Sequence, residues 1–171
     1  MKKIAIIAGV LFAAGLTALA AADVPTYVGA GKCRDCHRTE KQGKQHPIWE
    51  ASKHAQSFNN LKPETAKNEA GEAIPAQQAP GCLKCHSPLS EKAPEVAAEG
   101  ITCEVCHGPG SQYRKLNVMV DRDACVKNGL VVYASQDAVK AHCMTCHDNA
   151  HGIAFDFPKA WDAIKHYRPA K

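Results

Sequence analysis

The sequence predicts a mostly α, single compact domain with long loops and little regular secondary structure, whose core is filled by something other than its own side chains. Three observations lead there. Aromatic residues are only 6% of the 171 residues, and beyond residue 22 no segment is continuously apolar, so side chains alone supply a thin core. The few apolar periodicities have helical spacing, without strand-like alternation. Finally, the pattern Cys-x-x-Cys-His is written four times: Cys33-Arg34-Asp35-Cys36-His37, Cys82-Leu83-Lys84-Cys85-His86, Cys103-Glu104-Val105-Cys106-His107 and Cys143-Met144-Thr145-Cys146-His147.

The chain opens with Lys2 and Lys3, runs through apolar residues 4–19 and reaches Ala20-Ala21-Ala22 before Asp23. This is the three-part pattern of a secretory signal peptide, so residues 1–22 are expected to be removed and residues 23–171 to form the domain. The apolar run is short for a membrane span and ends in small residues, so no span is expected in the mature chain. Export places the protein in the periplasm or outside the cell. Loss of Lys2 and Lys3 takes the balance from 21 basic against 17 acidic residues to 19 against 17, which supports no basic surface for nucleic acid.

In Cys-x-x-Cys-His the two thiols sit one helical turn apart, so both reach the vinyl edge of one porphyrin while the adjacent histidine turns under the iron. Four motifs therefore predict four covalently bound haem c groups. Cys33, Cys36, Cys82, Cys85, Cys103, Cys106, Cys143 and Cys146 form the thioethers, and His37, His86, His107 and His147 are the proximal iron ligands. Such attachment requires the haem-attachment machinery of the export compartment. Zinc is the rival for paired cysteines, but zinc pairs do not require a histidine after every second cysteine. A thioredoxin-like role lacks the surrounding strand-helix-strand pattern.

Five histidines lie outside the motifs. His54 lies on an apolar face, Ala51, His54, Ala55, Phe58 and Leu61, of a helix expected over residues 46–61, with Pro47 in its first turn. His166 ends a similar pattern, Phe157, Ala160, Trp161 and Ile164, in a helix that Pro158 can start. Both suit distal iron ligands. His46, His142 and His151 are spare imidazoles for the remaining iron faces, and Lys115 and Met119 are non-histidine candidates.

Residues 62–80 lack apolar periodicity and read as a surface loop with one helical turn. Gly108-Pro109-Gly110 breaks the chain after the third motif. Residues 121–127 predict a short helix stopped by Asn128-Gly129, and Val131-Val132-Tyr133 is too short for a strand assignment. The ninth cysteine, Cys125, reads as a buried thiol.

The stretches Tyr27-Val28-Gly29-Ala30-Gly31-Lys32-Cys33, Trp49-Glu50-Ala51-Ser52-Lys53-His54-Ala55, Gly100-Ile101-Thr102 running into the third motif and Gly108-Pro109-Gly110-Ser111, and the ending over residues 155–166 resemble the tetrahaem cytochrome c-554 family. The resemblance implies a mostly helical domain with haems stacked in pairs, first with third and second with fourth, working as an electron relay. It implies His54 as distal ligand of the third haem and His166 of the first, and a second haem that can be five-coordinate. A family histidine a few residues beyond Gly-Pro-Gly, which would ligate the fourth haem, is missing here, where Tyr113, Arg114 and Lys115 stand.

The leading functional expectation is a carrier of electrons between redox protein partners. An enzyme reducing a small nitrogen oxide needs one vacant iron position and a polar pocket. A haem-lined filament needs ligands donated between subunits. At least one of the haems at Cys82/Cys85 and Cys143/Cys146 is expected to lack a sixth ligand from its own chain in the monomer, the Cys82/Cys85 haem ahead of the other.

Overall fold

The computed structural model describes residues 23–62, 66–149 and 151–167, so the expected signal peptide, residues 1–22, lies outside the described residues. Eight short helices follow one another: α1 Gly31–His37, α2 Gln45–Glu50, α3 Pro80–His86, α4 Cys103–His107, α5 Leu116–Met119, α6 Arg122–Lys127, α7 Gln136–Cys143 and α8 Phe157–Ile164. None described is long and apolar enough to cross a membrane. Long connections join them, as the composition predicts.

Local chemistry sets several helix starts. Thr102, Asp121, Ser135 and Asp156 accept backbone N–H groups in the first turns of α4, α6, α7 and α8, at 2.9–3.2 Å. Pro80 and Pro158 fit the opening turns of α3 and α8, where no donor is missed. After α4, Gly108 turns the chain at φ +77°, and Tyr113 donates its hydroxyl to the Gly108 carbonyl at 3.1 Å.

Two expectations change. The helix expected over residues 46–61 stops at Glu50, and the chain continues in tight turns. A helix would give the His54 carbonyl to the Phe58 N–H. Here that carbonyl accepts the N–H of Ser57 at 3.2 Å and of Ile101 at 3.1 Å, so a tertiary contact takes the place of the next helical bond. The loop expected over residues 62–80 contains a small antiparallel hairpin, β1 Ala66–Lys67 with β2 Ala73–Ile74, before the turn Ala76–Gln78. Asn68 closes it by accepting the Glu72 N–H at 2.9 Å, with Gly71 at φ +80°.

The side-chain core is divided and small. Leu61, Ala66, Ala76 and Ala79 form one cluster, and Leu89, Ala93 and Val96 another. The largest fully buried side chain is a carboxylate: Glu104 is 1% exposed and accepts the N–H of Val28 at 2.9 Å, Gly29 at 2.7 Å and Gly110 at 2.6 Å. It ties the first segment and the Gly-Pro-Gly turn to the helix of the third motif. Cys125 is buried and donates toward the Val118 carbonyl at 3.3 Å.

Candidate functional site

The motifs form three local settings. Cys33, Cys36 and His37 lie within α1, and Cys82, Cys85 and His86 close α3. The third motif is the whole of α4, whereas Cys143 ends α7 and Cys146 and His147 follow in a turn. Spacing i, i+3 on a helix sets each pair of sulfurs on one side, as attachment to one porphyrin edge requires.

The fold brings different motifs together. Cys33 and Cys103 act on each other's thiol, and so do Cys85 and Cys146, which sets each pair side by side. Cys143 and Cys146 both act electrostatically on Cys106, whose thiol burial pushes up to about 11. The eight motif sulfurs are not joined as disulfides. In an attached state they would be thioethers, so these contacts mark proximity: first motif beside third, third beside fourth, fourth beside second. A cavity of about 530 Å³ opens among Cys106, Cys146, His142, Tyr133, Tyr27 and Lys84, with sulfurs of two motifs in its wall.

The imidazoles are arranged more specifically. His54 faces His147 with ring centroids 6.1 Å apart, His151 faces His86 at 6.0 Å, and His166 faces His107 at 5.7 Å. Two imidazoles bound to opposite sides of one metal at about 2.0–2.1 Å per nitrogen would place their centroids about 6 Å apart. Each facing pair joins one motif histidine to one histidine outside the motifs. The centroid spacing of these three pairs is the spacing that such a pair of ligands would need. Among the described residues no group of three or more His, Cys, Asp or Glu side chains is placed to hold a metal ion by itself.

Protonation suits ligation. Burial, then the His166, His37 and His142 charges, pushes His107 down to about 4. His54 is lowered by burial and by His147, and His147 by burial, so these rings are neutral near pH 7 and offer a lone pair. Carbonyl acceptors orient the rings. His86 donates Nδ1–H to the Ser57 carbonyl at 2.9 Å, His166 to the Ile164 carbonyl at 3.2 Å, and His37 to the Gln45 side-chain oxygen at 3.2 Å. Each bond leaves Nε2 free for metal, the usual service of the groups behind a ligand.

The pairing differs from the one the resemblance implies. His54 stands against the fourth motif, not the third, and His166 against the third, not the first. His54 lies in the turns after Glu50, and His166 lies two residues past the end of α8. His151, four residues past His147, faces His86 of the second motif. His46 is buried edge-on to Trp49 and His142 lies against Tyr133, each at 5.3 Å, and His142 also acts on His107. Sequence reasoning missed Gln45, Ser57 and Phe155, the last stacked on His147 at 4.3 Å. Phe155 opens the family-like ending and carried a signal, whereas Gln45 and Ser57 carried none.

Comparison with known proteins agrees with the motif reading. Residues 32–108 match the family model described as cytochrome c554 and c-prime. The chain is 28% identical to cytochrome c-554 of Nitrosomonas europaea over 185 aligned positions, covering 92% of this chain and 74% of that protein. No solved structure matches. The resemblance to the cytochrome c-554 family is borne out, and covalently bound haem c is what that resemblance implies.

Proposed function

We propose that the chain is an exported electron carrier, holding four covalent haems and passing electrons between redox protein partners in the periplasm or outside the cell. Attached haem iron supplies a one-electron centre cycling between ferric and ferrous states. The observation that carries the reading is the set of three facing imidazole pairs, each with one motif histidine. His54, His151 and His166 would hold iron together with His147, His86 and His107, and the bound haems would supply the one-electron centres. An iron closed on both faces has no position for substrate, and transfer through it needs no catalytic side chain.

The sulfur contacts support a line of neighbours. Cys33 with Cys103, Cys106 with Cys143 and Cys146, and Cys146 with Cys85 give the order first, third, fourth, second. The first and second motifs stand at its ends, where donor and acceptor proteins have to approach.

Mass spectrometry of the purified mature protein tests this. Four haem additions that acid and organic solvent do not extract are expected, with residues 1–22 gone and a ferric spectrum dominated by low-spin iron. Fewer than four additions, or zinc in their place, would reject the reading.

A further inference from the structure

We infer that residues 31–44, the first motif and the turn after it, form the docking surface at which the acidic face of a redox partner protein exchanges electrons with the first haem. This rests on the carrier reading above and names the kind of partner met at one end of its line. The charge balance of the whole chain conceals where the charge is placed. Residues 31–44 carry five basic side chains, Lys32, Arg34, Arg38, Lys41 and Lys44, against Asp35 and Glu40, and all seven are exposed. Residues 23–171 as a whole carry 19 against 17, so this stretch exceeds the entire net positive charge of the domain and the remainder is slightly acidic.

Little of that charge is neutralised within the fold. Among the described residues Lys44 pairs with Glu40, and no ion pair engages Lys32, Arg34, Arg38 or Lys41. Arg114, exposed in the turn before α5, acts on Cys33 by its charge and so adds another cation beside the same motif.

The same surface brings a haem edge nearest to solvent. Cys36 is exposed, whereas the other seven motif cysteines are half-buried. Its thioether would set the vinyl edge of the first haem within this ring of cations. No residue of α1 is buried, so the helix lies outside the core, yet it is held in place. His37 donates Nδ1–H to the Gln45 side chain at 3.2 Å, and the Gln45 amide donates to the Tyr167 carbonyl at 3.1 Å. A fixed cationic rim suits an acidic protein surface, because opposed charges steer the encounter and set its register. The stretch has no aliphatic side chain and no Phe, Tyr or Trp with which to enter a lipid layer. At the other end of the line, residues 80–92 carry Lys84 and Lys92 against Glu91, and both lysines stand in the wall of the 530 Å³ cavity.

The test uses the mature four-haem protein and two flavin reductants: flavodoxin hydroquinone, an acidic protein, and lumiflavin semiquinone, which is uncharged. In each case one electron passes to a ferric haem. Flavodoxin hydroquinone becomes the semiquinone, and lumiflavin semiquinone becomes oxidised flavin and releases a proton. The bimolecular rate with flavodoxin should fall about tenfold between about 10 mM and 300 mM salt. Arg38→Glu with Lys41→Glu should lower the low-salt rate about tenfold and flatten its salt dependence. The same charge change at Lys127 and Lys140, exposed on α6 and α7, should lower it less than about threefold. The lumiflavin rate should stay within about twofold throughout, which reads any change in the haem itself separately.

A flavodoxin rate that ignores salt, or that both double variants lower equally, would overturn the inference, while haems still reduced by lumiflavin leave the carrier reading intact. Binding to phosphatidylglycerol vesicles that Arg38→Glu with Lys41→Glu abolishes, with the flavodoxin rate unchanged, would overturn it too, since the surface would then be a lipid contact. Haems that neither flavin reduces would overturn the carrier reading, and the inference with it.

Discussion

His54 and His147 face each other with ring centroids 6.1 Å apart, one from the turns after α2 and the other from the end of the last motif. If that gap holds an iron, His54→Ala opens one face of the fourth haem. One additional haem should become high-spin and its potential should rise, because a ligand that stabilises ferric iron is gone. Spin resonance and a redox titration read both effects, and an unchanged spectrum would remove His54 from the ligand set.

His151 makes a sharper case because it belongs to the segment just past the fourth motif yet faces His86 of the second. His151→Ala should add one high-spin haem and one carbon monoxide site per chain. A spectrum perturbed only at the fourth haem would mean that His151 acts locally and not across the fold.

Gly100 sits behind His54. Its φ is +69°, and a Cβ there would stand 2.8 Å from the His54 carbonyl. Gly100→Ala should cost about 1–3 kcal/mol through the disfavoured backbone conformation alone. It should also disturb the low-spin signal of the haem that His54 closes, since the turn carrying His54 has to shift. Denaturant unfolding and spin resonance on the same sample check the two together.

How far the sequence could be read follows from which contacts are local. The motifs write their chemistry within five residues, and α6 and α8 are legible because Asp121, Asp156 and Pro158 mark their starts. The helix assigned to residues 46–61 failed because turns bonded at i+3 also bring Ala51, His54 and Phe58 round at regular spacing, and the Ile101 N–H that diverts the His54 carbonyl lies far along the chain. His54 and His166 were legible as candidate ligands by residue type and helix-like spacing. Their partners depend on how α4, α8 and the last motif pack, which no local spacing records.

Glu104 tests the core. Its carboxylate accepts three backbone N–H groups while 1% exposed. Glu104→Gln keeps the size but turns one acceptor into a donor facing N–H groups, and hydrogen bonds to a charged acceptor contribute about 1.5–3 kcal/mol each. A loss of about 3 kcal/mol is expected, measured as a lower denaturant midpoint with all four haems still attached. A loss below about 0.5 kcal/mol would show that water readily replaces the clamp.

The order of the haems makes the last prediction. Cys33 lies beside Cys103 and Cys85 beside Cys146, so the first and third haems, and the second and fourth, should lie close enough for their unpaired spins to interact. His166 faces the third motif histidine and His151 the second, which allows each pair to be perturbed separately. His166→Ala changes the spin state of the third haem, so the coupled signal that includes the first haem should change while the signal of the second and fourth stays as it was. His151→Ala should do the reverse. Both variants report in one measurement on fully oxidised protein, and each is the other's control for general damage to the fold. If either variant alters both signals equally, or leaves its partner haem untouched, the sulfur contacts do not set the haem pairs and the proposed line of transfer fails with them.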